Sequence, residues 1–526
     1  MKFSEDFPED GNGGGVCAGD GRAGGAGGTG TGAGVADDKP TPAVGGAPSV
    51  RPPASPTTNA CKLCSPLGAC LAFRGVRGAM PFLHGSQGCA TYIRRYVISH
   101  FREPLDIAAS NFSETSAVFG GGLNVRLGLE NVIRQYKPEL VGLATTCLSE
   151  TIGENLAGHL HDFHDEHADG TVAGVAIPPV VSVSCASYKG THAEGFHKAV
   201  RGLVEQLVGS DGLSPRSPLP PPRSLALFPN FVSPEDLREL RTVAATFALP
   251  VTLVPDYSDT LDGPAWADYE KLPAGGTSVD EIRALAGAPA AIEFGRSLAF
   301  WPRTAATILA ERCGVPAHRI GLPIGIRETD KFMQVLAGTS SPLPAPCSPL
   351  PSLLPPAIAA QRGRFLDSLA DAHKYVFEKR AVVFGEEDLV AGLAALLAEI
   401  GVVPVVCATG GHSGHFREAV LAAAPELAPR ADAGEIVIRD NCDFDEIAAD
   451  ARALRPDFLL GSSKGYKLAR ELGVPLIRCG FPIHDRIGAQ RVRHLCYTGA
   501  QSLFDRITNA LLERKQDASP IGYSYL

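Results

Sequence analysis

Short, continuously apolar runs recur along this chain, each joined to a stretch with helical spacing, and that alternation constrains the fold more than any other feature. Glu139-Leu-Val-Gly-Leu-Ala-Thr-Thr-Cys147 and Pro179-Val-Val-Ser-Val-Ser-Cys185 are two such runs, each ending in a polar loop. Ser224-Leu-Ala-Leu-Phe-Pro229 is another, followed by Ser233-Pro-Glu-Asp236, a serine cap with proline in the first helical turn. Lys379-Arg-Ala-Val-Val-Phe-Gly385 leads into a helix expected over 386–400 and a strand from Val402 to Cys407. Phe458-Leu-Leu-Gly461 and Pro475-Leu-Ile-Arg478 complete the series. Strands without polar alternation are buried on both faces, which requires parallel sheets flanked by helices. No short repeat of the solenoid kind is visible.

Proline divides the series into blocks. Ser214 to Ser224 (SPRSPLPPPRS) and Ser341 to Ala357 (SPLPAPCSPLPSLLPPA) fix φ and remove backbone donors, as connectors do. Ahead of the first strand, 13 of the 24 residues from Gly11 to Gly34 are glycine, and a proline-rich run follows from Pro40 to Pro56. Such a segment cannot bury enough apolar surface to offset its ordering entropy. The expected organisation is α/β: a disordered Gly/Pro-rich tail over 1–58, then three Rossmann-like domains over 59–213, 224–340 and 357–526.

Composition narrows the function classes. With 48 basic against 57 acidic residues in 526, a polycationic nucleic-acid binder is excluded. The acidic start, MKFSEDFPEDGNGG, lacks the apolar core of a secretory signal. Leu389 to Cys407 is interrupted by Glu399 and Pro404 and reads as a buried helix running into a strand, not a membrane span. A cytoplasmic protein without membrane or nucleic-acid partners is expected. Its thirteen cysteines then suit thiols or metal ligands better than a disulfide framework.

In α/β sheets, ligands collect beyond the carboxyl ends of strands, and the first block places its cysteines there. Cys61-Lys-Leu-Cys64 precedes Cys70; Cys89 closes His84-Gly-Ser-Gln-Gly-Cys; Cys147 ends a strand; Ser187 follows Cys185. The Cys61/Cys64 pair lacks the context of a thioredoxin-like redox motif and the second pair of a zinc ribbon. An iron–sulfur cluster tolerates ligands scattered over loops, and Gly85 and Gly88 beside Cys89 would let the backbone approach one. Buried small hydrophobes fit the same spacing, and that is the reading for Cys313, Cys407, Cys442, Cys479 and Cys496. Cys17 and Cys347 lie in Gly- or Pro-rich stretches and carry no assignment to a site. His84 suits either a loop-stabilising or a functional role, and Arg94 and Arg95 beside Tyr92 either a partner surface or a solvated helix face. Gly120-Gly-Gly-Leu123 lacks the Lys-Ser/Thr of a nucleotide P-loop.

A set of longer motifs resembles the β-type subunit of the nitrogenase component 1 family. They are Cys64-Ser-Pro-Leu-Gly-Ala69, Met80-Pro-Phe-Leu-His-Gly-Ser-Gln-Gly-Cys-Ala-Thr-Tyr92, His100-Phe-Arg-Glu-Pro104, Ala117-Val-Phe-Gly-Gly121 and Ala144-Thr-Thr-Cys-Leu-Ser-Glu-Thr-Ile-Gly153. Gly321-Leu-Pro-Ile-Gly-Ile326, Phe384-Gly-Glu-Glu-Asp388 and Pro475-Leu-Ile-Arg-Cys-Gly-Phe-Pro-Ile-His-Asp-Arg486 continue the likeness, which spans roughly 60–515.

The resemblance implies three Rossmann-like domains and an α2β2 heterotetramer with an iron–sulfur cluster at each α/β interface. It also implies an ATP-hydrolysing iron protein as electron donor, and an active-site metallocluster held by the α-type subunit. Carried onto matching motifs, the cluster ligands on this chain are Cys64, Cys89, Cys147 and Ser187, with Gly88 beside them; Cys61 has no counterpart. With Cys147 present, the resemblance implies an eight-iron P-cluster and electron relay. A 4Fe-4S cluster belongs to the alternative, the β-like subunit of the scaffold for iron–molybdenum cofactor biosynthesis. The unusual tail points to a nitrogenase-like reductase of the methylthio-alkane reductase type ahead of the dinitrogen-reducing type.

Overall fold

The apolar runs become the central strands of three parallel sheets. In the computed structural model, which describes residues 61–209, 224–340 and 350–521, the first sheet runs Ala108–Ala109, Ala79–His84, Leu140–Thr145, Val180–Val183. The second is ordered Ala317–Ile320, Ala291–Phe294, Leu225–Phe228, Val251–Leu253. The third is Val437–Arg439, Val403–Thr409, Arg380–Gly385, Phe458–Gly461, Leu476–Arg478. Every pairing within these sheets is parallel. The α/β class with three Rossmann-like domains therefore holds. The tail expected over 1–58 and the first proline connector, apart from Ser224, lie outside the described residues, as do Cys17 and Cys347.

Local chemistry explains the element ends. Ser233 caps the helix Pro234–Thr246 by accepting from the Asp236 N–H at 3.0 Å, while Asp236 reaches back to the Ser233 N–H at 3.2 Å. The run from Leu389 to Cys407 divides as expected into the helix Glu387–Glu399 and the strand Val403–Thr409. The second connector is shorter than the sequence suggests. A helical turn forms at Leu350–Leu353, and the helix Pro356–Val376 starts on a proline, which the first turn tolerates because its N–H has no intrahelical partner. No helix of the described residues is long and apolar enough to cross a membrane.

Two glycines set how the first domain packs. The helices Ser65–Arg74 and His192–Leu207 touch backbone to backbone: a Cβ on Gly68 would fall 1.7 Å from the His192 carbonyl oxygen, and one on Gly195 would fall 1.9 Å from that of Ser65. Only glycine permits this approach.

Strand order decides where ligands can gather. In each sheet the chain leaves a central strand toward one edge, then returns to the other side of that strand. The crevice at this reversal, beyond the carboxyl ends, is the binding position of open α/β sheets. In the first sheet it lies between Ala79–His84 and Leu140–Thr145, in the second between Leu225–Phe228 and Ala291–Phe294, and in the third between Arg380–Gly385 and Phe458–Gly461.

Candidate functional site

Each of the two strands beside the first crevice turns directly into a helix that begins on a cysteine-bearing turn. Ser86 caps the helix Gln87–Phe101, accepting from the Gly88 N–H at 3.3 Å, and Cys89 sits in its first turn. Leu140–Thr145 ends two residues before Cys147, because Thr146 takes extended geometry and caps the helix Cys147–Thr151 in a reciprocal box with Ser149. Cys147 is therefore the first residue of a helix and not the last of a strand. Cys64 is the N-cap of Ser65–Arg74. All three thiols thus lie at helix N-termini.

These thiols face one region. The Cys89 thiol is pushed above its ordinary value first by burial and then by the neighbouring Cys64 and Cys147. Cys64 is exposed, whereas Cys89 and Cys147 are half-buried. Ser187 opens a short turn after the strand Val180–Val183, and its backbone N–H donates to Cys147 Sγ at 3.2 Å. Gly88 is exposed, and its N–H is occupied by Ser86. Gly85 serves packing: its φ is 154°, and a Cβ there would meet Thr146 Oγ1 at 1.9 Å.

Cys64 is held from two other directions. Cys64 bridges Thr191 in antiparallel fashion, the Leu63 N–H donates to His192 Nδ1 at 3.3 Å, and the His192 N–H donates to the Leu63 carbonyl at 3.0 Å. Lys464, from the turn after Phe458–Gly461, donates from Nζ to the Lys62 carbonyl at 3.2 Å. Burial holds the Lys464 ammonium below its ordinary value, against the opposing pull of Cys61, Glu386 and Cys64. Sequence reading missed Lys464, because it arrives from the third domain.

Cys61, three residues before Cys64, is tied to the third domain. Its carbonyl accepts from the Gly410 N–H at 3.1 Å, and burial pushes its thiol up to about 12. Cys70, Cys185, Cys407, Cys442, Cys479 and Cys496 are buried, as small hydrophobes would be, while Cys313 is half-buried.

His84 is structural in its contacts. Its buried ring meets Ser110 Oγ at 3.1 Å and Glu154 Oε2 at 3.3 Å, and burial lowers its basicity against the raising effect of Glu154. Glu154 also accepts from the Gly121 N–H at 2.6 Å, tying the glycine turn to the end of the first strand. That turn joins the helices Glu114–Phe119 and Gly122–Tyr136 and presents Val118 (75% exposed), Phe119 (84%) and Leu123 (61%) to solvent. Tyr92 is 59% exposed, and Arg94 donates to the Leu105 carbonyl at 2.7 Å. An exposed apolar patch of this kind marks an interaction surface; in sequence, helical apolar residues of this kind read as core.

Among the described residues, no three His, Cys, Asp or Glu side chains converge tightly enough to hold a single metal ion. The thiols suit a different guest. Three soft sulfur donors spread over three helix ends, one of them open to solvent, fit a multi-iron cluster whose remaining ligands come from another chain.

The family model for nitrogenase component 1 type oxidoreductases matches residues 64–512. The nitrogenase molybdenum–iron protein β chain of Clostridium pasteurianum is 30% identical over 457 residues, 87% of this chain and 93% of that one. The corresponding β chain of Methanothermobacter thermautotrophicus is 32% identical over 454 residues, 85% and 93% of the two chains. A solved structure of nitrogenase Cp1 at pH 6.5 superposes with a TM-score of 0.79 at 29% identity, covering 89% of this chain and 96% of that chain.

Proposed function

The chain is a β-type member of the nitrogenase component 1 family of oxidoreductases, and from that premise we propose that it forms the electron-relay half of a nitrogenase-like reductase. The observation that carries the reading is the trio Cys64, Cys89 and Cys147 at the crevice of the first sheet. With an α-type subunit supplying the facing cysteines in an α2β2 assembly, these thiols hold an interfacial iron–sulfur cluster of the eight-iron P-cluster type. Bound there, the cluster stores electrons in transit to the metallocluster of the α-type subunit.

The chain's own residues do the rest. The Ser187 N–H, 3.2 Å from Cys147 Sγ, draws electron density from that sulfur, and such a contact raises a cluster's potential. The Lys464 ammonium beside Cys64 acts in the same direction. Val118, Phe119 and Leu123 supply an apolar face on which an ATP-hydrolysing iron protein can dock.

The reductase type we assign is methylthio-alkane reduction. The molybdenum–iron names of the relatives favour dinitrogen as a second reading. A scaffold for cofactor assembly, with a 4Fe-4S cluster, is the rival from another class; the complete thiol trio favours the relay. Anaerobically purified complex, mixed with iron protein and ATP, decides among them. Sustained consumption of a methylthio-alkane supports the assignment, ammonia from dinitrogen replaces it with the second reading, and cluster transfer to an apo-acceptor without turnover overturns the relay.

A further inference from the structure

A cleft of about 340 Å³ opens beside the thiol face and is lined from all three domains. It gathers the ligand positions of two sheets at once. Asn230 and Ser297 follow the two strands that flank the second sheet's crevice, and Glu386, Glu387 and Asp388 follow the central strand of the third. Glu194 enters from the first domain, one turn into the helix His192–Leu207. None of these residues belongs to the thiol trio.

The charges in the cleft are out of balance. Asp388 accepts from the Ser297 N–H at 2.9 Å, the Ser297 hydroxyl at 2.7 Å and the Asn230 amide at 3.0 Å. Glu387 accepts from the Ser413 N–H at 3.1 Å and its hydroxyl at 2.5 Å. Glu194 accepts from the backbone and hydroxyl of Thr191. Every one of these donors is neutral. Glu386 is matched by His192 at 2.6 Å, Lys189 at the rim is drawn to Glu150 at 3.1 Å, His412 and His415 pair with Asp440 and Glu418, and burial holds His197, beside Asp388 and Glu194, toward its neutral form, leaving Lys62 at the rim. Burial, reinforced by Glu194 and Asp388, raises the Glu387 carboxyl to about 7.

Part of the lining is aromatic. Phe300 stacks on His415 at 3.8 Å and 7°, and Trp301 stands edge-on to His197 at 6.1 Å. Carboxylates without a cationic partner and aromatic rings lining one cleft are the two halves of an organic-cation site, one supplying charge and the other apolar surface for the hydrocarbon. A bare metal ion is disfavoured, since no three ligating side chains among the described residues converge on one point.

We propose that this cleft binds a small protonated amine, its ammonium among Glu194, Glu387 and Asp388 and its carbon chain against Phe300 and Trp301. The test is a charge ladder on the intact, anaerobically purified complex by isothermal titration calorimetry, using butane-1,4-diammonium, butane-1,4-diol and succinate at equal ionic strength. The diammonium binds once per copy of this chain, while the diol and succinate give no binding heat. Glu387→Gln and Trp301→Leu each weaken the diammonium by about tenfold or more, with iron content and melting temperature of the complex retained. Absence of diammonium binding, preferential binding of succinate, or unchanged affinity in whichever variant folds overturns the proposal. Iron content is read separately, so a failed cleft leaves the relay reading untouched, and a failed relay leaves the cleft.

Discussion

The thiol face and the acidic cleft occupy the same kind of place, the carboxyl ends of neighbouring parallel strands, yet they are completed differently. In the cleft every carboxylate of the trio already has hydrogen-bond donors from its own chain, and what is missing is opposite charge. On the thiol face the helix ends are in place, but Cys64 stands exposed and Cys147 accepts one backbone donor, from Ser187. The first region is short of a counter-ion and can be completed by a small molecule. On the proposed reading, the second is short of ligands and would be completed by another chain.

The hardest blow to that contrast is at the thiols. Cys89→Ala or Cys147→Ala in the purified complex should strip most of the interfacial iron, with its absorbance, and lower turnover on the order of a hundredfold or more. Diammonium binding in the cleft should survive. Full iron and full activity in both variants would show that the ligand assignment is wrong.

Gly68→Ala tests whether the two regions share a frame. Its Cβ would fall 1.7 Å from the His192 carbonyl oxygen, on the residue that braces both Leu63 and Glu386. Overpacking of this kind costs about 1–3 kcal/mol. Thermal unfolding should show the loss, and both iron retention and cleft affinity should decline together. A change confined to one region would separate them.

A pH experiment sharpens the cleft alone. The Glu387 carboxyl lies at about 7 in the folded chain against an ordinary 4.5, so the protonated form is favoured by folding. Its contribution is present at acidic pH and is lost as pH rises through 7. Unfolding free energy of wild type should therefore fall between about pH 5 and about pH 8, by at most about 3 kcal/mol. Glu387→Gln should flatten that part of the profile; an identical slope in the variant would remove Glu387 as the cause.

The smallest effect is expected at Ser187. Its contact with Cys147 Sγ runs through the backbone N–H, which substitution to alanine keeps. Ser187→Ala should leave iron content near wild type and shift the cluster's potential only slightly in a redox titration. Large iron loss would instead make the hydroxyl a ligand.

What could be read from the chain alone follows the range of the interactions. Leu140–Thr145 and Phe458–Gly461 were legible because a buried parallel strand must be apolar throughout, and Ser233 because a cap acts within one turn. The thiols were legible as candidates because they cluster beyond strand ends. Lys464 was not, since its hydrogen bond to Lys62 spans 402 residues of sequence. The cleft was invisible for the same reason: Glu194, Asn230 and Glu387 meet only once three sheets are assembled. Phe119 was hidden differently, because an apolar residue in a short helix looks alike whether it faces the interior or water. Cys61 illustrates the limit of motif logic: although three residues from Cys64, its carbonyl is tied to Gly410 of the third domain and its thiol is buried.

The backbone-to-backbone seat of Ser65–Arg74 on His192–Leu207 has one more consequence. A donor or acceptor of electrons loses speed when its surroundings must rearrange each time the charge changes, and preorganised groups avoid that cost. Cys64 caps a helix wedged at two glycines against its neighbour. On the proposed relay reading, the wedge would serve as a low-reorganisation mount for the Cys64 sulfur.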